Sequence, residues 1–451
     1  MSARINAAGR PPRFRYRWVV MMVDFLCLGL NYADRAAISV AAPFIIKEFG
    51  FSKAEFGIIL SIFFFGYAPF NWVGGYLADK IGPRRVMAVA VAWWSLFTAL
   101  TAAGFGFASF LIIRFLFGFG EGPQATVTAK AMANWFPKRE LGRAIAIANS
   151  STPLGGAVAA PIVVAILVAT ANNWRVAFVV LGIVGLLFAL GWYVTVRDTP
   201  AVHPWVSAAE VQEISDDQVD PAPTVGGDPP LPGLLRFIRE PVVISTALAF
   251  FGYAWVLYTF LSWFPVYLTD AQHVKLSSLA WAGAVPWLGG FVGTVAGGVL
   301  TDWLARRTGN APGTRKGIIV VCLLLTAALM GISMAAGTVL AAVALMSAVV
   351  FCLYLTGAQY WALIADLVPG QRYGGVVGFV HFIANCAGIA APFVVGLLVD
   401  RTHSWPLTFG VASAICAAGA LALLAFGNTR RLQAIVAAME PDHVVPSPTV
   451  G

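Results

Sequence analysis

The chain has 451 residues, of which 59% are hydrophobic and only 11% are charged, whereas soluble domains carry about 25% charged residues. A soluble fold of this length cannot bury so much apolar surface, so the composition excludes an ordinary water-soluble protein and indicates that lipid surrounds the chain. The net charge of +8 does not indicate a nucleic-acid-binding protein, because Lys and Arg stand in short segments between apolar runs rather than in one basic domain.

The apolar runs are about twenty residues long or longer, which is the length that a helix needs to cross a bilayer. The first run follows an Arg-rich start, as in a signal peptide, but it is too long for one and contains Asn31, Asp34 and Arg35. It is therefore predicted to be a retained span. Twelve runs are predicted to span the membrane, at residues 18–43, 54–78, 85–105, 108–132, 141–168, 174–196, 243–268, 278–303, 315–336, 339–364, 374–399 and 405–426.

One long polar segment, residues 198–240, separates the sixth run from the seventh. It is rich in proline and has an acidic stretch from Glu210 to Asp220, which predicts a flexible linker that can carry a short surface helix. The expected fold class is therefore an all-α membrane protein with two pseudo-symmetric six-helix bundles. Its expected parts are an N-terminal segment at 1–17, a bundle at 18–197, the linker at 198–240, a bundle at 241–428 and a tail at 429–451.

The distribution of positive charge predicts the orientation of the chain. With the N-terminus inside, 22 Lys and Arg residues fall on the inner side and 5 on the outer side, while Arg35 and Arg114 lie within spans. Cytoplasmic loops of membrane proteins carry such an excess of positive charge. Both termini are therefore expected in the cytoplasm, in a multi-pass protein of the cell (inner) membrane.

The two halves carry related sequences at the same position. Gly74–Asp79, followed by an Arg pair, ends the second run, and Gly297–Asp302, again followed by an Arg pair, ends the eighth. Parallel repeats of six spans are one of the known plans of transporters. The repeat therefore favours a transporter built from two similar halves.

The first copy of the repeat continues as Gly75-Tyr76-Leu77-Ala78-Asp79-Lys80-Ile81-Gly82-Pro83-Arg84-Arg85. This loop resembles the signature of the major facilitator superfamily, and the resemblance implies a latch that holds the two bundles in one state and breaks in the other. Simple anchoring by positive charge is the competing explanation, but it accounts for the arginines and not for Gly and Asp. The expected latch residues are Gly75, Asp79, Gly82, Arg84, Arg85 and, in the second copy, Asp302.

Three further motifs resemble the anion:cation symporter family within that superfamily. They are Asn31-Tyr32-Ala33-Asp34-Arg35, Arg114 with Gly118-Phe119-Gly120-Glu121-Gly122, and Asn134-Trp135-Phe136-Pro137. The resemblance covers nearly the whole chain. Members include bacterial carriers of galactonate, glucarate, hexuronates, tartrate and phthalate, together with the animal sialin and vesicular glutamate transporters. The resemblance implies uptake of a small organic anion.

Charged residues at membrane depth are costly, so each of them is a candidate functional residue. Asp24, Asn31 and Arg35 are separated by seven and four residues, which puts them on one helix face toward the bundle interior. Arg35 is the predicted ligand of a substrate carboxylate, because a guanidinium stays charged and can bind two oxygens. Asp34 is a poor partner for it, since adjacent side chains point about 100° apart. The resemblance implies that Arg35 binds substrate while Asp34 titrates.

In the fourth span, Arg114 and Glu121 also share a face, and three glycines thin the helix and permit close helix approach. Glu121 and Asp34 are the predicted proton carriers, and Arg114 is expected to tune Glu121. A static buried ion pair is the competing interpretation, because it looks the same in a sequence.

Polar side chains of other spans are predicted to contact the substrate, although hydrogen bonding between helices is a competing role for several of them. Tyr and Asn suit the hydroxyl groups of a sugar acid, and His can bind a carboxylate or titrate near neutral pH. Tyr360 and His381 differ from the residues of the sugar-acid relatives, which favours a bulkier or flatter substrate. These predicted contacts are Tyr32, Tyr67, Asn71, Thr152, Tyr258, Tyr360, Trp361, His381 and Asn385.

The sequence thus predicts a proton-coupled symporter that takes up a small organic carboxylate, with a sugar acid the expected class. An exchanger or facilitator of organic anions, including aromatic carboxylates, is the alternative, with structural roles for the buried carboxylates. A drug exporter of the same fold is disfavoured by the Arg35 face, and an enzyme by the lack of metal-ligand spacing, a nucleophile elbow or a phosphate loop. No cofactor or metal is expected. The expected partners are the carboxylate, protons and the bilayer, with no nucleic acid, and the protein is expected to be a monomer.

Overall fold

The computed structural model describes residues 15–218 and 233–437. Within these ranges every regular element is helical, which confirms the all-α class. Three predicted features lie outside the described residues: the arginines that precede residue 15, the proline-rich centre of the linker at 219–232 and the end of the tail from residue 438.

Eighteen α-helices occur in the described part of the chain, and short 3₁₀ turns extend two of them, at Thr101–Ala103 and Ser333–Ala335. The helices are α1 (Arg17–Phe49), α2 (Lys53–Ile81), α3 (Pro83–Leu100), α4 (Phe107–Glu121), α5 (Gln124–Trp135), α6 (Lys138–Asn149), α7 (Ser151–Ala169), α8 (Trp174–Thr195), α9 (Ala208–Gln218), α10 (Leu234–Ile238), α11 (Pro241–Asp270), α12 (Leu276–Thr308), α13 (Ala311–Ile332), α14 (Val339–Thr356), α15 (Gln359–Leu367), α16 (Gly370–Thr402), α17 (Trp405–Phe426) and α18 (Thr429–Ala437).

Ten helical segments of the described residues are long and apolar enough to cross a membrane, as expected for a multi-pass membrane protein. The other two predicted spans are α1 and the pair α4–α5. Helix α1 has 33 residues, but Asp34 and Arg35 interrupt its apolar sequence. Helices α4 and α5 are separated at Gly122 and Pro123, because proline lacks the backbone N–H that would continue the helical hydrogen bonds.

Contacts within the chain define two compact units, and the first comprises Met1–Ala37, Ile62–Ala159 and Ile166–Pro221. In this unit α3 packs against both α4 and α8. The unit contains most of the charged residues that the sequence places at membrane depth.

Alternating glycines hold α4 close to its two neighbours. A Cβ on Gly118 would collide with the Phe63 carbonyl on α2, and a Cβ on Gly120 would collide with the Trp93 ring on α3. Only glycine permits so close an approach on both sides. The close packing places Glu121 in the interior of the unit, where its side chain is 0% exposed.

The first part of the predicted flexible linker is folded against the start of α1. The Glu210 carboxylate of α9 accepts hydrogen bonds from the backbone N–H groups of Tyr16, at 3.0 Å, and Arg17, at 3.1 Å. The first N–H groups of a helix have no partner within it, so this carboxylate caps α1. The fully buried Arg17 side chain binds Glu213 of the same helix at 3.2 Å. Burial raises the pKa of Glu213, but the hydrogen bond and charge of Arg17, with other arginines nearby, outweigh it and hold this pKa below its usual value.

His203 of the folded linker lies in an aromatic cluster beside this cap. Its ring centre is 4.2 Å from that of Tyr16. The Nε2 atom is 3.0 Å from the Thr195 carbonyl oxygen, and Nδ1 accepts a hydrogen bond from the Trp205 backbone N–H at 3.2 Å. These partners require a neutral ring with the proton on Nε2. Burial accordingly lowers the pKa of His203.

The second unit comprises Ile38–Ser61, Ala160–Ala165 and Ala222–Gly451. Its most extensively buried long helix is α11, which packs against α16 and α17. Helices α12 and α14 approach each other along glycines spaced four residues apart, on which a Cβ would meet a backbone carbonyl of α14. The glycines are Gly289, Gly293 and Gly297, and they face Ser347, Phe351 and Leu355.

Large apolar side chains remain uncovered on the helix surfaces. Ile112 is 61% exposed, Leu187 is 63% exposed and Val299 is 68% exposed. Extensive exposed apolar surface is unfavourable in water, whereas lipid solvates it. The exposed surface therefore agrees with the composition in indicating a membrane protein.

Candidate functional site

A buried ion pair joins α1 to α4 in the interior of the first unit. The Nε atom of Arg35 donates a hydrogen bond to Oε2 of Glu121 at 2.5 Å. Arg35 is 7% exposed and Glu121 is 0% exposed. Removing two charges from water costs more free energy than most packing interactions contribute to stability. Charged groups that are kept at this depth are therefore candidates for binding and coupling.

Three aromatic rings surround the guanidinium of Arg35. Its Cζ atom lies 4.6 Å from the ring centre of Tyr67, 4.8 Å from that of Phe63 and 5.4 Å from that of Tyr32. Aromatic faces attract a cation, and such contacts are worth about 2 kcal/mol where water is absent. The structure thus brings the predicted residues Tyr32 and Tyr67 together at Arg35.

Asp34 faces a different helix from its neighbour Arg35, as the helical geometry predicts. It is 1% exposed and lies beside Trp94 and Thr98 of α3. Neither carboxyl oxygen makes a hydrogen bond of acceptable geometry to the described residues. The two candidate proton carriers therefore differ, because Glu121 has a direct cationic partner and Asp34 has none among the residues that the structure describes.

Arg114 shares the interior with Glu121, but its close contacts are aromatic. Its Cζ atom lies 4.4 Å from the ring centre of Phe117 and 5.5 Å from that of Phe63. The Nε atom is buried and has no hydrogen-bond partner within the described ranges. Among the described residues the direct bond to Glu121 is therefore made by Arg35 and not by Arg114.

Two other predicted contacts in the first unit differ in how their polar groups are used. The Thr152 hydroxyl donates to the Asn149 carbonyl at 3.0 Å, across the break between α6 and α7. The Asn71 carbonyl accepts a hydrogen bond from the Thr126 hydroxyl at 3.0 Å. The side-chain Nδ2 of Asn71 is buried without a partner in the described part of the chain. Asn71 is therefore the better placed of the two to accept a new partner.

The repeat loop between α2 and α3 is held by a residue that the sequence did not single out. Gly82 has φ of 90°, a left-handed conformation that favours glycine, and a Cβ there would collide with the Asp198 carboxylate. The same carboxylate accepts a hydrogen bond from the Arg84 backbone N–H at 2.9 Å. The Arg84 side chain donates to the Tyr193 carbonyl, also at 2.9 Å.

The charged side chains of the expected latch do not pair with one another among the described residues. Asp79 pairs with Lys130 of α5 at 2.8 Å, and the side chains of Lys130 and Asp79 are 40% and 66% exposed. Gly75 packs against Thr126 one turn earlier on the same two helices. Asp302 and Arg85 are exposed and form no ion pair with the described residues. The contacts of Asp79 thus lie within the first unit.

In the second unit, a chain of hydrogen bonds links α11 to α16. The Tyr258 hydroxyl donates to Oδ1 of Asn385 at 3.4 Å, and Nδ2 of Asn385 donates to the His381 carbonyl at 2.9 Å. His381 and Asn385 lie one turn apart, as their spacing predicts. Three of the predicted contacts of the second half therefore lie together.

The other two predicted contacts of this half belong to an aromatic cluster around Phe250. The Tyr360 ring stacks on Phe250 with 4.3 Å between centres, and the Trp361 ring lies 5.1 Å from that of His381. Tyr360 is 1% exposed, whereas Trp361 and His381 are only partly buried. Trp361 and His381 are therefore the more accessible members of the cluster.

Comparison with known proteins identifies the family. The model described as Major Facilitator Superfamily matches residues 25–362 and 312–449 of the chain. The chain belongs to the Major Facilitator Superfamily. The resemblance carried by the Gly75–Arg85 loop is confirmed, and this superfamily member is a transporter rather than an enzyme.

Curated relatives match this superfamily member over nearly their whole length. The hexuronate transporter of Bacillus subtilis is 39% identical over 90% of the chain and 94% of the relative. The probable sulfoacetate transporter SauU of Cupriavidus necator is 35% identical over 91% and 94%. The probable L-galactonate transporter of Escherichia coli is 31% identical over 91% and 89%. Each of these relatives carries an organic acid, according to its name.

Solved structures support the fold. The xylose transporter XylE from E. coli, in an inward open conformation, has a TM-score of 0.70 at 17% identity and covers 93% of the chain and 99% of its own. A bacterial homolog of the lysosomal transporter Spinster has a TM-score of 0.66 at 21% identity and covers 96% and 97%. At these identities the likeness shows the fold alone.

Two residues of the site were missed from the sequence, and each had a weak signal. Phe63 lies one turn before Tyr67 on α2, so the same face carries both rings. Asp198 follows the sixth apolar run directly, at the end where the repeat loop is expected. In both cases the decisive contact is with another helix, which spacing along one helix does not reveal.

Proposed function

We propose that this superfamily member is a proton-coupled symporter that takes up a sugar acid by alternating access. The observation that carries the proposal is the buried ion pair between Arg35 and Glu121 within three aromatic rings. The names of its relatives, which include transporters of hexuronate, L-galactonate and galactarate/D-glucarate, support the sugar-acid class.

The coupling follows from competition for one guanidinium. Ionised Glu121 occupies Arg35, so a substrate carboxylate must displace it. Protonation removes the charge of Glu121 and frees Arg35 to bind the substrate carboxylate by charge-assisted hydrogen bonds. When the Arg35 guanidinium pairs with Glu121 again, the pairing favours release of the proton from Glu121 and release of the substrate from Arg35. Binding of the proton and of the substrate are therefore linked, and each raises the affinity for the other.

The remaining predicted residues are assigned supporting roles. Asp34 carries a second proton, and Arg114 stabilises the ionised forms of the carboxylates by its charge. Hydroxyl groups of the substrate bind polar side chains of the spans, and the repeat loops control the conformational change. The substrate contacts that we propose beside Arg35 are Tyr32, Tyr67, Asn71, Thr152, Tyr258, Tyr360, Trp361, His381 and Asn385, and the latch residues are Gly75, Asp79, Gly82, Arg84, Arg85 and Asp302.

The charge distribution and the repeat support the topology that we propose for this function. The chain crosses the cell (inner) membrane twelve times, with both termini in the cytoplasm, and acts as a monomer. The two six-helix bundles are residues 18–197 and 241–428, joined by the linker at 198–240.

Transport into liposomes tests the proposal. We expect purified protein to accumulate labelled D-galacturonate, a hexuronate, when a proton gradient is imposed. Glu121→Gln should lose this accumulation yet retain exchange of labelled for unlabelled substrate, because exchange needs no net movement of protons. Arg35→Ala should bind no substrate. Uptake that ignores the gradient in the wild-type protein would contradict proton coupling.

An anion exchanger or facilitator is the second candidate, because a buried Arg35–Glu121 ion pair can also serve a purely structural role. In that case Glu121 has a structural role, and wild-type protein exchanges substrate without any response to the proton gradient. The relative named as a sulfoacetate transporter adds sulfonates to the acids to be screened. The aromatic cluster around Phe250 adds aromatic carboxylates. Thermal-shift measurements across these acids identify the preferred one.

A further inference from the structure

A line of buried polar side chains, here named the polar track, leads from Glu121 toward the first residues of α1. On α4 and α5 the spacing of its members is three and four residues, so they follow one helix face. On α1 the two members are seven residues apart, again on one face. The polar track consists of Glu121, Gln124, Thr128, Asn31 and Asp24.

The track contains polar atoms that no described residue satisfies. Asp24 is 0% exposed, and its Oδ1 accepts a hydrogen bond from the Thr128 hydroxyl at 2.8 Å, while its Oδ2 has no partner. Gln124 is 2% exposed, and neither its amide oxygen nor its amide nitrogen has a partner. Oε1 of Glu121 is also unsatisfied, and Asn31 lies beside that carboxyl.

Buried polar atoms of proteins are nearly always hydrogen bonded, either to protein groups or to ordered water. Four of the five track members, Asn31 with its Nδ2 included, have such unsatisfied atoms. The line therefore indicates a route that water enters, because each water needs two or more polar partners and the track supplies them. Core packing does not explain these residues, since apolar side chains of similar size fill a helix interface without unsatisfied polar atoms.

Asp24 has no cationic partner in the track. The groups that face it are the Thr128 hydroxyl of α5 and the Cys27 thiol of its own helix. An unpaired carboxylate at such a site is costly, whereas the neutral acid can donate its own hydrogen bond. The site therefore suits the neutral acid better than the carboxylate, and water that reaches Oδ2 favours ionisation.

The position of Asp24 suits it to pass protons to one side of the membrane. At about 1.5 Å per residue, Asp24 lies about 10 Å along α1 from Arg17, where the helix starts. By the same measure Arg35, the partner of Glu121, lies about 27 Å from that end. A proton that leaves Glu121 along the track thus passes Asp24 before it reaches the surface.

We propose that Asp24 relays the coupling proton between Glu121 and the side of the membrane that holds the N-terminus. The relay rests on the proposed symport function. Neutral Asp24 releases its proton to water on that side, and its carboxylate then takes the proton that Glu121 gives up through water bound at Gln124 and Thr128. One proton leaves and one arrives, so Asp24 is restored and no electrons move.

The test compares proton movement with substrate exchange in liposomes that contain a pH-sensitive dye, with D-galacturonate as the probe. Asp24→Asn keeps the shape and the acceptor for Thr128 but carries no proton, and Gln124→Leu removes the polar atoms midway. Ser95→Ala is the matched control, since Ser95 is equally buried and unsatisfied but lies off the track, against Gly185. We expect both track variants to slow substrate-driven proton movement by about tenfold or more, with exchange and the control unchanged.

Wild-type rates of proton movement in both track variants would overturn the relay and leave the symport function standing. Equal loss of proton movement and exchange in both would also overturn it, because that result indicates a structural role. A wild-type protein that moves no protons with substrate refutes the proposed function and the relay together. If Asp24→Asn does not fold, Gln124→Leu and Thr128→Val decide the question by the same comparison.

Discussion

The Arg35–Glu121 pair leads to a quantitative prediction for Glu121→Gln. Glutamine keeps the shape of the side chain and can still accept a hydrogen bond from Nε of Arg35, so the substitution removes the charge and little else. The Arg35 guanidinium stays charged, so the variant keeps part of the about 1.5–3 kcal/mol that a hydrogen bond to a charged group contributes and loses the attraction between the two opposite charges. The substrate carboxylate should therefore meet about 1–2 kcal/mol less competition for Arg35.

That difference corresponds to about five- to thirtyfold tighter substrate binding by the Glu121→Gln protein. The assay is titration calorimetry of purified protein with D-galacturonate across weakly acidic to weakly alkaline pH. The wild-type affinity should fall as the pH rises, because ionised Glu121 competes better, and the variant should lose most of this dependence. Asp34→Asn is the matched control, since it removes a buried carboxylate that does not touch Arg35.

Two results would refute the reasoning. Weaker or unchanged binding by Glu121→Gln would show that Glu121 does not compete with the substrate for Arg35. An equal increase in substrate affinity in Asp34→Asn would show that any nearby negative charge weakens substrate binding, whether or not it pairs directly with Arg35.

Three further predictions concern the scaffold around the site. Gly118→Ala puts a Cβ against the Phe63 carbonyl, so we expect the free energy of unfolding to fall by about 1–3 kcal/mol, as measured by thermal unfolding. Substrate binding, measured by calorimetry, should also be weaker. Asp79→Asn breaks an exposed ion pair with Lys130, and such a pair contributes at most about 1 kcal/mol to the free energy of unfolding. The melting temperature should therefore hardly change, while the transport rate should fall. An unchanged transport rate would exclude a latch role for Asp79. The lowered pKa of His203 means that its contribution to stability is present above its usual value of 6.5 and is lost as the pH falls through the folded value. The melting temperature of the wild-type protein should therefore fall more on acidification than that of His203→Gln. Parallel dependence of the two melting temperatures on pH would contradict this.

Much of the fold follows from the sequence because each local signal is strong. A helix of about twenty apolar residues satisfies its own backbone hydrogen bonds in lipid, so run length and hydropathy predict the spans. The linker was harder to predict, because its polar composition did not show that Glu210 caps the start of α1 nearly two hundred residues away.

The periodicity of α1 and α4 placed Arg35, Glu121 and Asp24 on buried faces, because side chains three, four and seven residues apart share a helix face whatever surrounds it. It did not decide which cation binds Glu121. Arg114 shares the helix with Glu121, yet Arg35 of another helix makes the bond. That choice depends on how closely α4 approaches its neighbours, which Gly118 and Gly120 permit. The sequence alone thus determined the membrane fold and the buried charges, while the tertiary structure decided their partners, since spacing within one helix carries no information about the distance to the next.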